Sequence, residues 1–328
     1  MDRRTFIESI ALGLAVAPFA AKAQQANNSV RIGFLPLGSP SNAYDLSLVG
    51  AFRQGLQEAG LVENRDVVLD IVWIGSESEI PQAVSELMRR GAKLLIPVGT
   101  SASTVVKGQV ATDPIVFINV GNPVGIGLVD SLSRPGHNVT GFSDMLADLS
   151  GKFVELVIQL GEPRPTINYL WYTEWADGQY RFEVSERTAQ SNGVKFRPRA
   201  IRDIAEANDA IAAMRAEGAT TVIVQTSPFT YRHRVQLINV AMSYGVGTVS
   251  GFSTAARDGA LIAYGPNYFD MYRRAASYIE RILKGANPAD LPVQQPTKFD
   301  FIVNLKTAKT LGVTIPNSML VRADEVIR

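Results

Sequence analysis

Residues 30–60 read VRIGFLPLGSPSNAYDLSLVGAFRQGLQEAG, and this stretch decides the fold. Its first six residues, Val30 to Leu35, are a mostly apolar stretch, broken only by Arg31 and short enough for a strand, stopped by Pro36 and Gly38. Leu46, Val49, Phe52 and Leu56 then recur at three- and four-residue spacing, the period of a helix with one buried face, and Gly60 closes it. Strand, polar turn and amphipathic helix make the βα unit from which parallel sheets are built. The rhythm continues with strands predicted over 66–73, 93–98, 114–119 and 138–142, and helices over 79–90 and from about Ala102. After Asp144 it restarts, with helices over 149–160, 180–192, 204–217 and 231–244 and strands over 166–172, 194–200, 220–225 and 246–250. Two such series of similar length predict an α/β protein of two doubly wound, Rossmann-like lobes. A strand over 260–264, a long helix over 268–283, a proline-rich passage over 288–296 and a strand over 299–303 follow. The chain is expected to cross back between lobes there, giving a multi-crossing hinge able to absorb a closing motion. The expected partition is 30–142 plus 253–293 for the first lobe, and 143–252 plus 294–328 for the second.

Composition narrows the function. The 328 residues are 46% hydrophobic and 19% charged, enough for a real core and too apolar for a disordered chain. Lys and Arg number 32 against 31 Asp and Glu, so at +1 the chain advertises no surface for nucleic acid. There is no cysteine, which excludes thiolate nucleophiles and sulfur-ligated zinc, and His137 and His233 alone cannot build a multi-histidine metal centre. No cofactor is expected. His137 sits in a Pro-Gly turn with no acid–base partner nearby in sequence. Neither a Gly-x-Ser-x-Gly elbow, a His-Glu-x-x-His pair nor a phosphate loop occurs, and Gly121–Gly127 is mis-spaced for a dinucleotide fingerprint.

The first 24 residues read as an export signal. Arg3 and Arg4 give a positive start, Ile7 to Ala21 is mostly small and apolar, and Ala21-Lys22-Ala23 fits a small-x-small cleavage site. A signal peptide over 1–23 and a periplasmic product are expected. Arg3-Arg4-Thr5-Phe6-Ile7 also resembles the twin-arginine signal, so both that route and ordinary secretion stay open. No later stretch is long and apolar enough for a transmembrane helix.

Open α/β sheets bind ligands beyond the carboxyl ends of their strands, where loops lead into helix N-termini. Four such places carry small polar residues: Leu37-Gly38-Ser39, Gly99-Thr100-Ser101, Gly121-Asn122-Pro123 and Thr226-Ser227-Pro228. Their N–H groups and hydroxyls suit a carboxylate or another anion. The alternative is that these hydroxyls only cap their helices. Ser143 and Phe252 complete the list of candidate ligand-binding residues. Trp171, Tyr172 and Trp175 are rings that either wall a planar ligand, with Trp171 and Tyr172 the candidates, or divide between core and surface. Tyr231-Arg232-His233-Arg234 is expected to be a solvated helix face.

These residues carry a resemblance. Ala51-Phe52-Arg53-Gln54-Gly55-Leu56, Asn138-Val139-Thr140-Gly141-Phe142-Ser143, Tyr264-Gly265-Pro266 and the tail from Ile282 to Lys309 resemble the bacterial ABC-transporter substrate-binding proteins of the ABC_sub_bind family. The resemblance covers essentially the whole chain after the signal. It implies a type I periplasmic binding fold with three crossings, a cleft that closes on a small molecule, and delivery to a membrane permease by a monomeric receptor. Amino acids, aromatic ones among them, are frequent ligands in such a family. The family pattern has Asp-Pro after the fourth strand, where this chain has Asn122-Pro123. An amide supplies no charge for an ammonium group. The expectation is therefore a carboxylate ligand without an amine, or an acid supplied from elsewhere, such as Glu174 or Asp144. Two other classes share the lobe architecture. A transcriptional effector domain would need a DNA-reading helical segment ahead of the first lobe, where the signal stands. An exported enzyme would need an acid–base or nucleophile constellation, and none is evident.

Overall fold

The computed structural model describes residues 29–161, 166–175 and 177–328. The expected signal peptide over 1–23 and the prolines before the sixth strand lie outside them. The first sheet contains β1 (Val30–Leu35), β2 (Val67–Ile71), β3 (Leu94–Pro97), β4 (Ile115–Val120) and β5 (Val139–Ser143) in the order β2-β1-β3-β4-β5, all parallel. Helices α1 (Ala43–Glu58), α2 (Ile80–Arg89) and α3 (Thr100–Gln109) connect the strands. β3 is buried at every position, as strands covered by helices on both faces must be.

The second sheet repeats the pattern. Its strands β6 (Thr166–Tyr172), β7 (Lys195–Ile201), β8 (Thr221–Val224), β9 (Gly247–Ser250) and β10 (Ile262–Pro266) again pair in a 2-1-3-4-5 order. β11 (Phe299–Asn304) joins β10 antiparallel, and β12 (Glu325–Ile327) closes the edge. The helices of this lobe begin with α4 (Ser150–Gln159), α5 (Gly178–Ser191) and α6 (Ile204–Ala216).

Two expectations are corrected here. The strand expected over 260–264 in the first lobe is β10, and it pairs parallel with β9 through Ile262↔Val249 and Ala263↔Ser250. It completes the second lobe's five-strand unit, with Ala260, Leu261 and Ile262 fully buried. Residues 253–266 therefore belong to the second lobe. The helix expected over 231–244 is two, α7 (Pro228–Arg232) and α8 (Arg234–Ser243), broken at His233. A capping box at Ser227 and Thr230 starts α7 three residues early.

The chain crosses between sheets three times, after β5, after β10 and after Gln294. The short α9 (Thr254–Arg257) precedes β10, and the second crossing runs from β10 through Asn267 into α10 (Tyr268–Leu283), which returns to the first lobe and packs on α1. A side chain at Gly55 would sit 2.1 Å from the carbonyl oxygen of Arg273, so glycine there sets the helix spacing. Tyr272 of α10 rests 6.3 Å from Phe34, and Tyr278 lies 5.1 Å from Phe142. Gln294 then runs beside β5, its N–H donating to the Gly141 carbonyl and its own carbonyl accepting from Ser143 N–H, before the third crossing.

Candidate ligand-binding site

Between the two sheets, at the carboxyl ends of their strands, lies a cavity with about 470 Å3 of space free of atoms, its open mouth included. The first lobe contributes Leu37 after β1, Leu48 of α1, Gly99 and Thr100 at the start of α3, and Asn119 of β4. Asp144 and Leu146 come from the first crossing, and Tyr268 and Tyr272 from α10. The second lobe supplies Trp175 after β6, Arg181 of α5, Thr226, Ser227 and Pro228 after β8, Tyr231 of α7 and Phe252 after β9.

Charge in this cavity is specific. Arg181 is 3% exposed and lies one turn into α5. Its Nε donates to Asp177 Oδ2 at 3.0 Å, and a terminal nitrogen donates to Thr226 Oγ1 at 2.7 Å. Its guanidinium carbon stands 4.8 Å over the Trp175 ring. The same guanidinium reaches the opposite lobe, since a side chain at Gly121 would lie 2.1 Å from one of its nitrogens. The other terminal nitrogen lies 2.9 Å from the same Asp177 oxygen, so each nitrogen has a partner and of the five N–H groups one on each terminal nitrogen is left over. Asp144 is 4% exposed and accepts a hydrogen bond from Leu146 N–H at 3.0 Å. Burial pushes its carboxyl pKa up, and the nearby Arg181 opposes that shift without forming an ion pair. Asp177 answers the charge of Arg181, so the carboxylate of Asp144 is the charge in the cavity without a direct counter-ion.

A second polar contact joins the lobes beside the cavity. Tyr231 donates its hydroxyl to Asp45 Oδ1 at 2.6 Å, and Asp45 also accepts from Ser39 N–H at 2.9 Å. Arg234 stands 3.9 Å from Asp45 and pairs with Asp258 at 2.7 Å. Tyr231 and Arg234 are 3% and 5% exposed, so these two residues are buried between lobes and not on the solvated face expected from the segment's charges, while Arg232 and His233 are half-buried. Asp45 sits in the first turn of α1, where the helix dipole favours an acid.

The structure sorts the sequence-predicted residues. Leu37, Gly99, Thr100, Thr226, Ser227 and Phe252 line the cavity, and Gly121 abuts it through Arg181. Gly38 and Ser39 stand one step back and hold Asp45: a side chain at Gly38, whose φ is +107°, would strike that carboxylate. Ser101 turns away and donates to Glu77 Oε1 at 2.9 Å, facing a smaller neighbouring cavity with Arg232. Asn122 folds back to accept from Gly125 N–H at 2.9 Å, and Ser143 accepts from Met145 N–H. Neither lines the cavity. Trp171 packs on Phe182 at 5.0 Å, and Tyr172 stacks on Phe229 at 4.4 Å, both outside it. Trp175, not among the ring candidates, is the buried one of the three, at 8% exposed. Of the two acids considered as substitutes at position 122, Asp144 lines the cavity and Glu174 does not. Sequence reasoning missed Asn119, Arg181 and the α10 tyrosines; no local motif marks them.

The chain matches the model of the ABC transporter substrate binding protein family over residues 42–327. It belongs to that family. A tyrosine-binding protein of Clostridioides difficile is 23% identical over 278 residues, covering 84% of this chain and 80% of that protein. Among solved structures, the ABC domain in complex with L-Trp from Streptococcus pneumonia is 25% identical, with a TM-score of 0.81 over 91% of this chain and 100% of that one. A conserved domain protein from Vibrio cholerae superposes with a TM-score of 0.82 at 23% identity, over 91% of this chain and 99% of that one. The fold is the two-lobed one of type I periplasmic binding proteins, and the family is one of substrate-binding proteins, not of enzymes. No helix among the described residues is long and apolar enough to cross a membrane.

Proposed function

We propose that this substrate-binding protein closes its cleft on a zwitterionic α-amino acid and hands it to the permease of an ABC importer. The observation that carries the reading is the pair of buried charges in one cavity, Asp144 without a counter-ion and Arg181 with free N–H groups. An ammonium group fits the first, because a charge-assisted hydrogen bond offsets the burial of the carboxylate. A carboxylate fits the second, helped by the first turn of α3 from Thr100 on, whose N–H groups have no side-chain cap, while Gly99 N–H itself donates to the Ile118 carbonyl. Phe252, Tyr268 and Tyr272 offer apolar and aromatic wall to the ligand's side chain. The tyrosine- and tryptophan-binding relatives support an amino-acid ligand. Asp144 takes over the role that Asn122 lacks the charge to perform, so an amine-free acid is not the favoured ligand. Export through the segment 1–23, a periplasmic location and action as a monomer belong to the same proposal.

Mass spectrometry of the small molecule released when the exported protein is denatured tests this reading. An α-amino acid is expected; a compound without an amine, or a sugar or nucleoside, would contradict it.

A further inference from the structure

Two polar atoms in the cavity are buried and have no hydrogen-bond partner: Oδ1 of Asn119 and Nε1 of Trp175. They come from opposite lobes and line the same space. Asn119 is placed there by an unusual backbone. Its φ is +61°, a left-handed conformation that asparagine tolerates better than most residues, and the β4–β5 register shifts between Ile118 and Val120. A bulge of this kind re-aims one side chain of a strand. A buried donor or acceptor left unpaired is costly enough that native proteins rarely keep one without a use.

We propose that Asn119 and the Trp175 indole N–H together recognise a hydroxyl on the ligand's side chain, so that the cleft prefers a hydroxylated amino acid to its hydroxyl-free counterpart. The proposal rests on the amino-acid reading above and names the subclass of ligand. The indole N–H only donates, while the asparagine carbonyl accepts. A hydroxyl satisfies both at once, accepting from Trp175 and donating to Asn119. The two groups are neutral, which suits a neutral partner; the ammonium and carboxylate common to all amino acids have Asp144 and Arg181.

Calorimetric titration of the full mature chain with tyrosine against phenylalanine, and threonine against valine, tests this. In whichever pair binds, the hydroxylated member should bind at least about tenfold more tightly. Trp175→Phe keeps a ring beside Arg181, and Asn119→Gly keeps the left-handed backbone without strain. In each variant the preference within the pair should collapse towards parity. Equal binding within the pair by the wild type would overturn the proposal, and that comparison needs no variant to fold. Variants that weaken both members equally would also overturn it, because the two groups would then serve the shared amino-acid part. If no amino acid binds at all, the underlying reading fails and takes this proposal with it.

Discussion

Asp144 carries the chemistry at the residue scale. Its carboxyl is pushed above the ordinary carboxylate range by burial, with Arg181 pulling the other way and Asp177 adding to the push. A raised pKa means the folded protein holds this proton more tightly than the unfolded chain does. The unliganded fold therefore gains from protonation at low pH and loses that gain as pH rises through the folded value. Asp144→Asn should remove this dependence, so that at neutral pH the unliganded variant melts no lower than the wild type; a melting series over pH reads it directly. Ligand binding has the opposite sign, because an ammonium needs the ionised acid. Affinity for an amino acid should fall as pH drops through the raised pKa, and Asp144→Asn should weaken binding at neutral pH by about 1.5–3 kcal/mol and flatten the pH profile. The importance of this residue was half legible. An acid was expected to replace the charge missing at Asn122, but choosing Asp144 over Glu174 needed burial, which depends on where the chain crosses between lobes.

Helices and turns bring partners together at the element scale. Arg181 lies on α5 with nothing in its neighbourhood of sequence to mark it, yet Asp177 one turn earlier and Thr226 after β8 fix its guanidinium against Gly121. Gly121→Ala would force a methyl group into that guanidinium, and ligand affinity should drop at least about tenfold while the melting temperature changes little, since the contact forms at the lobe boundary. The break at His233 is a further case. The periodicity over 231–244 suits one helix, but the capping box at Ser227 and Thr230 begins a short α7 that sends Tyr231 across to Asp45. Tyr231→Phe removes one hydrogen bond to a carboxylate and should weaken ligand binding by about 1.5–3 kcal/mol without altering the ligand preference. Equal affinity in that variant would show the cross-lobe contact to be incidental. The buried parallel strands were read well because they are mostly apolar runs, the edge strand β12 was not read, and Trp171, Tyr172 and Trp175 illustrate what such runs do not say. Ring type says nothing about direction, and only Trp175 turns inward.

The molecule as a whole is one unit used twice, a five-strand sheet and a seven-strand sheet containing the same five-strand order, joined by three crossings. That duplication was legible from the restart of the βα rhythm after Asp144. The assignment of 253–266 to the first lobe failed because a strand's apolar run does not say which sheet it extends; pairing between Ile262 and Val249 decides it. The consequence for the site is that α10 is a first-lobe helix entered directly from a second-lobe strand, so Tyr268 and Tyr272 sit at the junction of the lobes. Gly55 holds this helix against α1, and Gly55→Ala should destabilise the fold by about 1–3 kcal/mol, seen as a lower denaturation midpoint, because the obstructing atom is backbone. We propose that closure is driven by both charged ends of an α-amino acid. It is tested most directly by calorimetric titration of the wild-type protein with the amino acid it binds, its deaminated acid and its decarboxylated amine. One-to-one binding of the amino acid, with each truncated analogue weaker by about tenfold or more, is the result predicted. A deaminated acid that binds as tightly as the amino acid would contradict it.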